Sequence, residues 1–227
     1  SRRRRPPRRS RESADRDRLA AATGAAIVDA ETVFSDSSLP GVVIASSTDT
    51  HSDILLRCAQ TGKAVFCEKP ISLDFATVRH VVERVETSGI PCLLGFQRRY
   101  DTNFRFVRDR IASGDAGKLE HVVMHTRDPS PPPRAYVERS GGMFRDQAIH
   151  DFDMARYLLG EEIDSVFATA SVLVDPEIGV QGDFDSASLV LTTASGKHCT
   201  ISNSRRAVYG YDQRIEVHGS KGAVLAE

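Results

Sequence analysis

Between Gly41 and Pro70 the chain twice ends an apolar, strand-length run in a short polar loop, with a helix-length segment between the two. Gly41-Val42-Val43-Ile44-Ala45 has no polar side, which suits a strand buried within a parallel sheet. Ser46-Ser47-Thr48-Asp49-Thr50-His51 then reads as its exit loop. The spacing predicts a helix from Ser52 to Thr61, with Ile54, Leu55, Cys58 and Ala59 inward and Gly62 as its stop. Ala64 to Cys67 forms the next strand, so Glu68-Lys69-Pro70 falls just past its carboxyl end. Open α/β sheets bind ligands in the crevice beyond those ends. A lysine there is placed either to touch a substrate oxygen or to sit solvated in a turn.

The pattern continues for one more unit and then changes. Phe75 to Ser88 reads as a helix with Val78, Val81, Val82 and Val85 inward, and Ile90 to Phe96 as a strand that delivers Gln97 and Arg98 to the crevice. Asn103 to Ser113 fits a helix with Phe104, Val107 and Ile111 on one side. From Leu119 onward strand patterns dominate, at His121 to Thr126, Ser165 to Val174, Ala187 to Thr193, Lys197 to Ser202 and Gln213 to His218. The expected class is α/β plus α+β. A partial Rossmann-type nucleotide domain (residues 15–96) precedes a mostly antiparallel sheet domain (residues 97–227), with a basic segment at 1–14 outside both.

Into that second region falls Gly141-Gly142-Met143-Phe144-Arg145-Asp146-Gln147-Ala148-Ile149-His150-Asp151-Phe152-Asp153. Read at helical period, Asp146, His150 and Asp153 share one stripe, while Ala148, Phe152, Ala155 and Leu159 lie opposite. An apolar face can anchor such a helix while a carboxylate–imidazole pair projects from the other side. That pairing suits a general base, because histidine titrates near neutrality and a carboxylate fixes its tautomer. A charged surface helix, or metal ligation through one helix face, would use the same spacing. No H-E-x-x-H or comparable metal spacing occurs, and no metal is expected.

Glu68-Lys69-Pro70, Gly95-Phe96-Gln97-Arg98-Arg99-Tyr100-Asp101, the Asp146–His150 segment and Tyr209-Gly210-Tyr211-Asp212 occur in one order, with Arg127-Asp128-Pro129 and Tyr136 between them. In these motifs, from about Asp15 to the C-terminus, the chain resembles the Gfo/Idh/MocA nicotinamide-dependent dehydrogenases, and within them the inositol dehydrogenases. The resemblance implies NAD-dependent oxidation of a cyclic polyol such as myo-inositol, with Lys69, Asp146 and His150 as catalytic residues. His150 would take the hydroxyl proton, Asp146 would orient His150, and Lys69 would hydrogen-bond the reacting oxygen. It further implies cofactor contacts from Asp15, Ser46, Thr48, His51, Glu68, Lys69 and Gln97, and polyol contacts from Arg98, Asp128 and Tyr211. Asp15 would stand where the family holds an acidic ribose-binding residue, which favours NAD over NADP. Homo-oligomerisation through an open sheet face is expected on the same ground. The alternatives are another sugar or polyol as substrate, or a non-catalytic descendant that keeps the sheet domain for binding or assembly.

The chain also departs from the family. No G-x-G-x-x-G phosphate loop occurs anywhere, and the N-terminus instead reads Ser1-Arg2-Arg3-Arg4-Arg5-Pro6-Pro7-Arg8-Arg9-Ser10-Arg11. Residues 1–18 carry nine Arg against three acids, a net +6, while the whole chain is −1, leaving −7 for the remainder. The Arg run is read as foreign to the family, from a shifted frame or misplaced start, ahead of a nucleic-acid arm; it has no apolar region to act as a secretory signal. With the chain also stopping soon after the Gln213–His218 strand, a fragment at both ends is expected. Loss of a central strand would remove side chains each contributing about 1.5–3 kcal/mol, so a weakened nucleotide domain is expected. Apolar stretches are strand-length only, so no membrane span is expected. Cys58, Cys67, Cys92 and Cys199 are scattered without a C-x-x-C pair, which favours reduced thiols and the cytoplasm.

Overall fold

The computed structural model describes residues 11–227, so the basic run at 1–10 lies outside the described residues. Two helices, α1 (Arg11–Thr23) and α2 (Ala30–Ser35), precede a β-α-β-α-β unit. That unit comprises β1 (Gly41–Ile44), α3 (His51–Thr61), β2 (Ala64–Cys67), α4 (Phe75–Ser88) and β3 (Cys92–Leu94). Gly62 ends α3 in the left-handed region at φ 70°, a conformation open to glycine at no steric cost. Asp74 caps α4 by accepting from the Thr77 amide at 2.7 Å.

The three strands are parallel in the order β1-β2-β3. Phe34, Leu55, Cys58, Val81 and Val85 pack from the helices onto Ile44, Val65 and Cys67. The opposite face is open: Val43 is 72% and Leu93 46% exposed. Parallel sheets normally bury both faces, so this unit has half of its usual cover. The third strand is shorter than its apolar run suggests, because Gln97–Tyr100 turns away as a 3-10 helix.

After α5 (Thr102–Ala112) the chain builds a six-stranded sheet from β4 (Leu119–Arg127), β5 (Ile163–Ser171), β6 (Ser186–Thr193), β7 (His198–Ser204), β8 (Asp212–Gly219) and β9 (Gly222–Ala226). Their order is β5-β6-β7-β4-β8-β9. One pairing departs from the antiparallel expectation: β4 and β7 run parallel, from His121↔His198 to Arg127↔Ser204. A long crossover carries the chain from β4 to the edge strand β5, and the antiparallel run β5-β6-β7 returns to β4, which sets β7 parallel to it. That crossover holds α6 (Arg134–Ser140), a π-helical turn at Met143–Gln147 and α7 (Ile149–Leu159), with α8 (Pro176–Val180) after β5. Met154, Ala155, Leu158 and Leu159 of α7 pack on Val122, Met124, Leu189, Ile201 and Val217 in one continuous core. No helix among the described residues is long and apolar enough to cross a membrane.

Candidate active site

Two cavities meet where the small sheet faces the π-helical turn. The larger, about 780 Å³, lies past the carboxyl ends of β1 and β2 and is lined by Ser46, Thr48, His51, Glu68, Lys69 and Asp74, among others. The smaller, about 250 Å³, lies against the large sheet and is lined by Arg98, Asp128, Gln147, His150, Arg205 and Tyr211. Tyr136 and Asp146 line both and mark the junction.

Lys69 lies two residues past the end of β2, and the Lys69–Pro70 peptide is cis. Its ammonium crosses to the π-helical turn, donating to the main-chain oxygen of Asp146 (2.9 Å) and to Asp146 Oδ1 (3.0 Å). One of its three N–H groups remains for a ligand. The Tyr136 hydroxyl donates to the same Asp146 oxygen at 2.7 Å; burial and that carboxylate hold Tyr136 well above the usual phenol range.

The π-helical turn changes the geometry expected of Asp146 and His150. The Ala148 amide reaches back five residues to the Met143 oxygen (2.9 Å), so the two side chains do not share one regular helical stripe. Gly141 and Gly142 admit the turn at φ 87° and 78°; a Cβ on Gly142 would stand 2.5 Å from Asp183 Oδ1. Asp146 is bonded to Lys69 and Tyr136 and makes no hydrogen bond to His150 among the described residues. Its influence on His150 is through charge. Asp153, on the expected stripe, pairs with Arg99 instead, at 2.6 and 2.7 Å.

The His150 ring packs edge-on to Phe96, with centroids 6.3 Å apart. Nδ1 is buried without a partner, so Nε2 is the nitrogen left to face the cavity. Burial, then the charges of Arg98 and Lys69, push its pKa down to about 3, with Asp146 opposing. His150 is thus a neutral imidazole at neutral pH, the form able to accept a proton.

Arg98 is buried deeper than a ligand-holding arm. Nη1 donates to Asp151 Oδ1 (2.5 Å) and Thr126 Oγ1 (3.3 Å). Gln213, with its amide oxygen turned inward, accepts from Arg98 Nη2 (2.7 Å) and Nε (3.1 Å) and from the Tyr211 hydroxyl (2.5 Å). Asp151 itself is 1% exposed and also accepts from Thr126 (2.6 Å) and Asn203 (2.7 Å). Asp128 accepts from Gln147 at 3.0 Å, and burial raises its pKa.

Of the expected site residues, Lys69, Asp146, His150, Arg98, Asp128, Tyr211, Ser46, Thr48, His51 and Glu68 line the two cavities. His51 does so as a tie, its ring nitrogens 2.8 Å from the Pro70 oxygen and 3.1 Å from that of Ser46. Gln97 and Asp15 are not brought to either cavity. Gln97 is exposed at the start of its 3-10 turn. Asp15 stands within α1 rather than at a strand end, ion-paired to Arg18 at 3.2 Å. Sequence reasoning missed Asp151, Gln147, Asn203 and Arg205, whose partners lie far away in the chain.

Known proteins set this architecture in context. The family described as "Oxidoreductase family, NAD-binding Rossmann fold" matches residues 7–96, and the GFO/IDH/MocA C-terminal domain matches residues 104–225. The chain belongs to the GFO/IDH/MocA oxidoreductase family. It is 54% identical over 209 residues to inositol 2-dehydrogenase of Rhizobium meliloti (strain 1021), covering 92% of this chain and 63% of that protein. A crystal structure of a myo-inositol dehydrogenase from Corynebacterium glutamicum superposes with TM-score 0.88 at 41% identity, covering 92% of this chain and 63% of that one. The structure of scyllo-inositol dehydrogenase from Lactobacillus casei with bound NAD(H) and scyllo-inositol superposes with TM-score 0.85 at 26% identity, covering 93% and 65%. The chain therefore spans less than two thirds of the length of these relatives.

Proposed function

We propose that this chain carries the reacting centre of an NAD-dependent inositol dehydrogenase, which oxidises myo-inositol to the 2-keto inosose. The observation that supports this reading most is the convergence of Lys69, Tyr136, Asp146 and His150 where a large hydroxyl-lined cleft meets a small charged cavity. The relatives' names, and the NAD(H) and scyllo-inositol in one of them, point the same way.

The cleft residues fit the nicotinamide end of NAD. Ser46 and Thr48 bring hydroxyls to the carboxyl end of β1, and Lys69 lines the same cleft. When bound, NAD supplies the hydride acceptor. The chain's own residues account for the rest. His150 Nε2 takes the hydroxyl proton, and the free N–H of Lys69 donates to the same oxygen, so negative charge can build there as the carbon–hydrogen bond breaks. Asp128 and Tyr211 offer an acceptor and a hydroxyl to the remaining ring oxygens, in a cavity of about 250 Å³ that suits one six-membered ring. Arg98, held by Asp151, Thr126 and Gln213, sets the wall against which the ring rests.

The open face of the large sheet supports self-association, because the cross-strand pair Phe167 and Val190 is 69% and 37% exposed there. Four free cysteines, three of them buried, support a reducing compartment, the cytoplasm.

The test is to titrate the folded chain with NADH by fluorescence, then to follow NADH formation from NAD and myo-inositol. Saturable binding with turnover supports the reading. A folded chain that binds inositol but not NADH would leave the sheet domain as a polyol-binding module and overturn the dehydrogenase reading for it.

A further inference from the structure

Arg205 follows β7 directly, and its amide donates to the Asp185 oxygen at 2.8 Å. Its side chain is 2% exposed and lines the smaller cavity. Three carboxylates from three separate segments surround the guanidinium. Nη1 lies 3.5 Å from Asp146 Oδ2 and 3.9 Å from Asp128 Oδ2, and Nη2 lies 3.9 Å from Asp183 Oδ2. None of these is a hydrogen bond, and Nε and Nη2 are buried without a partner, as is Asp183 Oδ2. A guanidinium can donate five hydrogen bonds and is costly to bury, so its placement here calls for a reason beyond packing.

The local charges supply one. Asp128, Asp146, Asp151 and Asp183 face Lys69, Arg98 and Arg205 across this part of the molecule. Arg98 is committed to Asp151 at 2.5 Å and Lys69 to Asp146 at 3.0 Å. Arg205 is the cation left for Asp128 and Asp183. Of the titratable groups remaining around the cavity, His150 is neutral, and Tyr136 and Tyr211 hold their protons at neutral pH.

We propose that Arg205 is a positioning residue for the polyol site: its buried charge holds Asp128 ionised beside Asp146, so that one small cavity offers two carboxylate acceptors to neighbouring ring hydroxyls. Two like charges so close repel, and a cation between them is what permits both. Burial pushes the Asp128 carboxyl upward, and Arg205 is the largest influence pulling it back. The purpose of the arrangement rests on the polyol reading of the site; the charge effect itself does not.

The experiment is a pH titration of the aspartate carboxyl carbons by NMR, in ¹³C-labelled chain without substrate or cofactor, with Asp128→Asn used to assign the Asp128 signal. In Arg205→Met the Asp128 signal should titrate at least about one pH unit higher, while Arg205→Lys should return it most of the way. A folded Arg205→Met chain in which Asp128 titrates as before overturns the proposal. Should Arg205→Met not fold, Arg205→Gln decides the matter. A folded glutamine variant whose Asp128 titrates higher supports the charge role, and one with the wild-type titration overturns it. Turnover adds a second readout: KM for myo-inositol should rise about tenfold in Arg205→Met, with a smaller change in kcat and most of the loss recovered in Arg205→Lys, since a protonated Asp128 no longer offers the ring a carboxylate acceptor. Failure of the wild-type chain to turn over inositol would sink the dehydrogenase reading and leave the carboxyl titration standing.

Discussion

The two walls of the site are built on opposite plans. The small parallel sheet sends its residues out on loops past the strand ends: Ser46 and Thr48 after β1, Glu68 and Lys69 after β2. The large sheet holds part of its wall on regular elements and locks those residues together. Thr126 sits on β4, Asn203 on β7 and Asp151 on α7, all three joined to one another or to Arg98 at 2.5–3.3 Å. The difference separates two tasks. Loop-borne hydroxyls and a lysine with an unused N–H can exchange partners as a ligand enters, whereas an interlocked buried network preserves the shape of a cavity.

The sharpest way to break this comparison is Asp151→Ala. It strands the buried Arg98 cation and should cost about 3–5 kcal/mol of stability, read from the midpoint of urea unfolding. A loss below about 1 kcal/mol would mean the network is ornamental to the fold. His150→Ala tests chemistry instead of shape. It should slow turnover by about 10²–10⁴ while NADH binding stays near wild type. Unchanged turnover would remove His150 as the base.

A third, smaller effect concerns pH. His150 has a folded pKa of about 3 against an ordinary 6.5, so the unfolded chain binds the proton first as pH falls. Its contribution to stability is full above pH 6.5 and is lost progressively on acidification toward pH 3. The slope approaches about 1.4 kcal/mol per pH unit for one such group. His150→Asn should flatten the fall in stability between pH 6 and pH 4 by about that slope, measured by denaturation at each pH. Smallest of all is Ser46→Ala on the loop wall. Its hydroxyl meets Thr50 at 2.5 Å in an exposed setting, so stability should move by no more than about 0.5 kcal/mol. A larger loss would show that the loop wall is as interlocked as the sheet wall.

What was legible in the sequence follows the same division. Local patterns were readable because periodicity and caps are local: the Phe75–Ser88 helix has those bounds in the structure, with Val81 and Val85 buried. Lys69 was legible from its place after a strand. The parallel pairing of β4 with β7 was not, because alternation says which face is buried and nothing about which strand lies alongside. Nor was the network of Asp151, whose partners Arg98 and Asn203 are 53 and 52 residues away. The π-helical turn escaped for a different reason. It adds one residue to a helical turn without any residue that forbids a regular α-helix, so the even stripe of Asp146, His150 and Asp153 looked continuous and was not.

The Lys69 ammonium also has a mechanical meaning. It is rooted in the small sheet, and both of its bonds end on the π-helical turn of the other wall. Widening the gap between the walls by a couple of ångströms would unmake those bonds and swing the remaining N–H away from any oxygen it serves. Cleft width and the aim of the Lys69 hydrogen bond are therefore a single coordinate. A ligand that wedges the walls apart disarms the chemistry, and one that draws them together arms it.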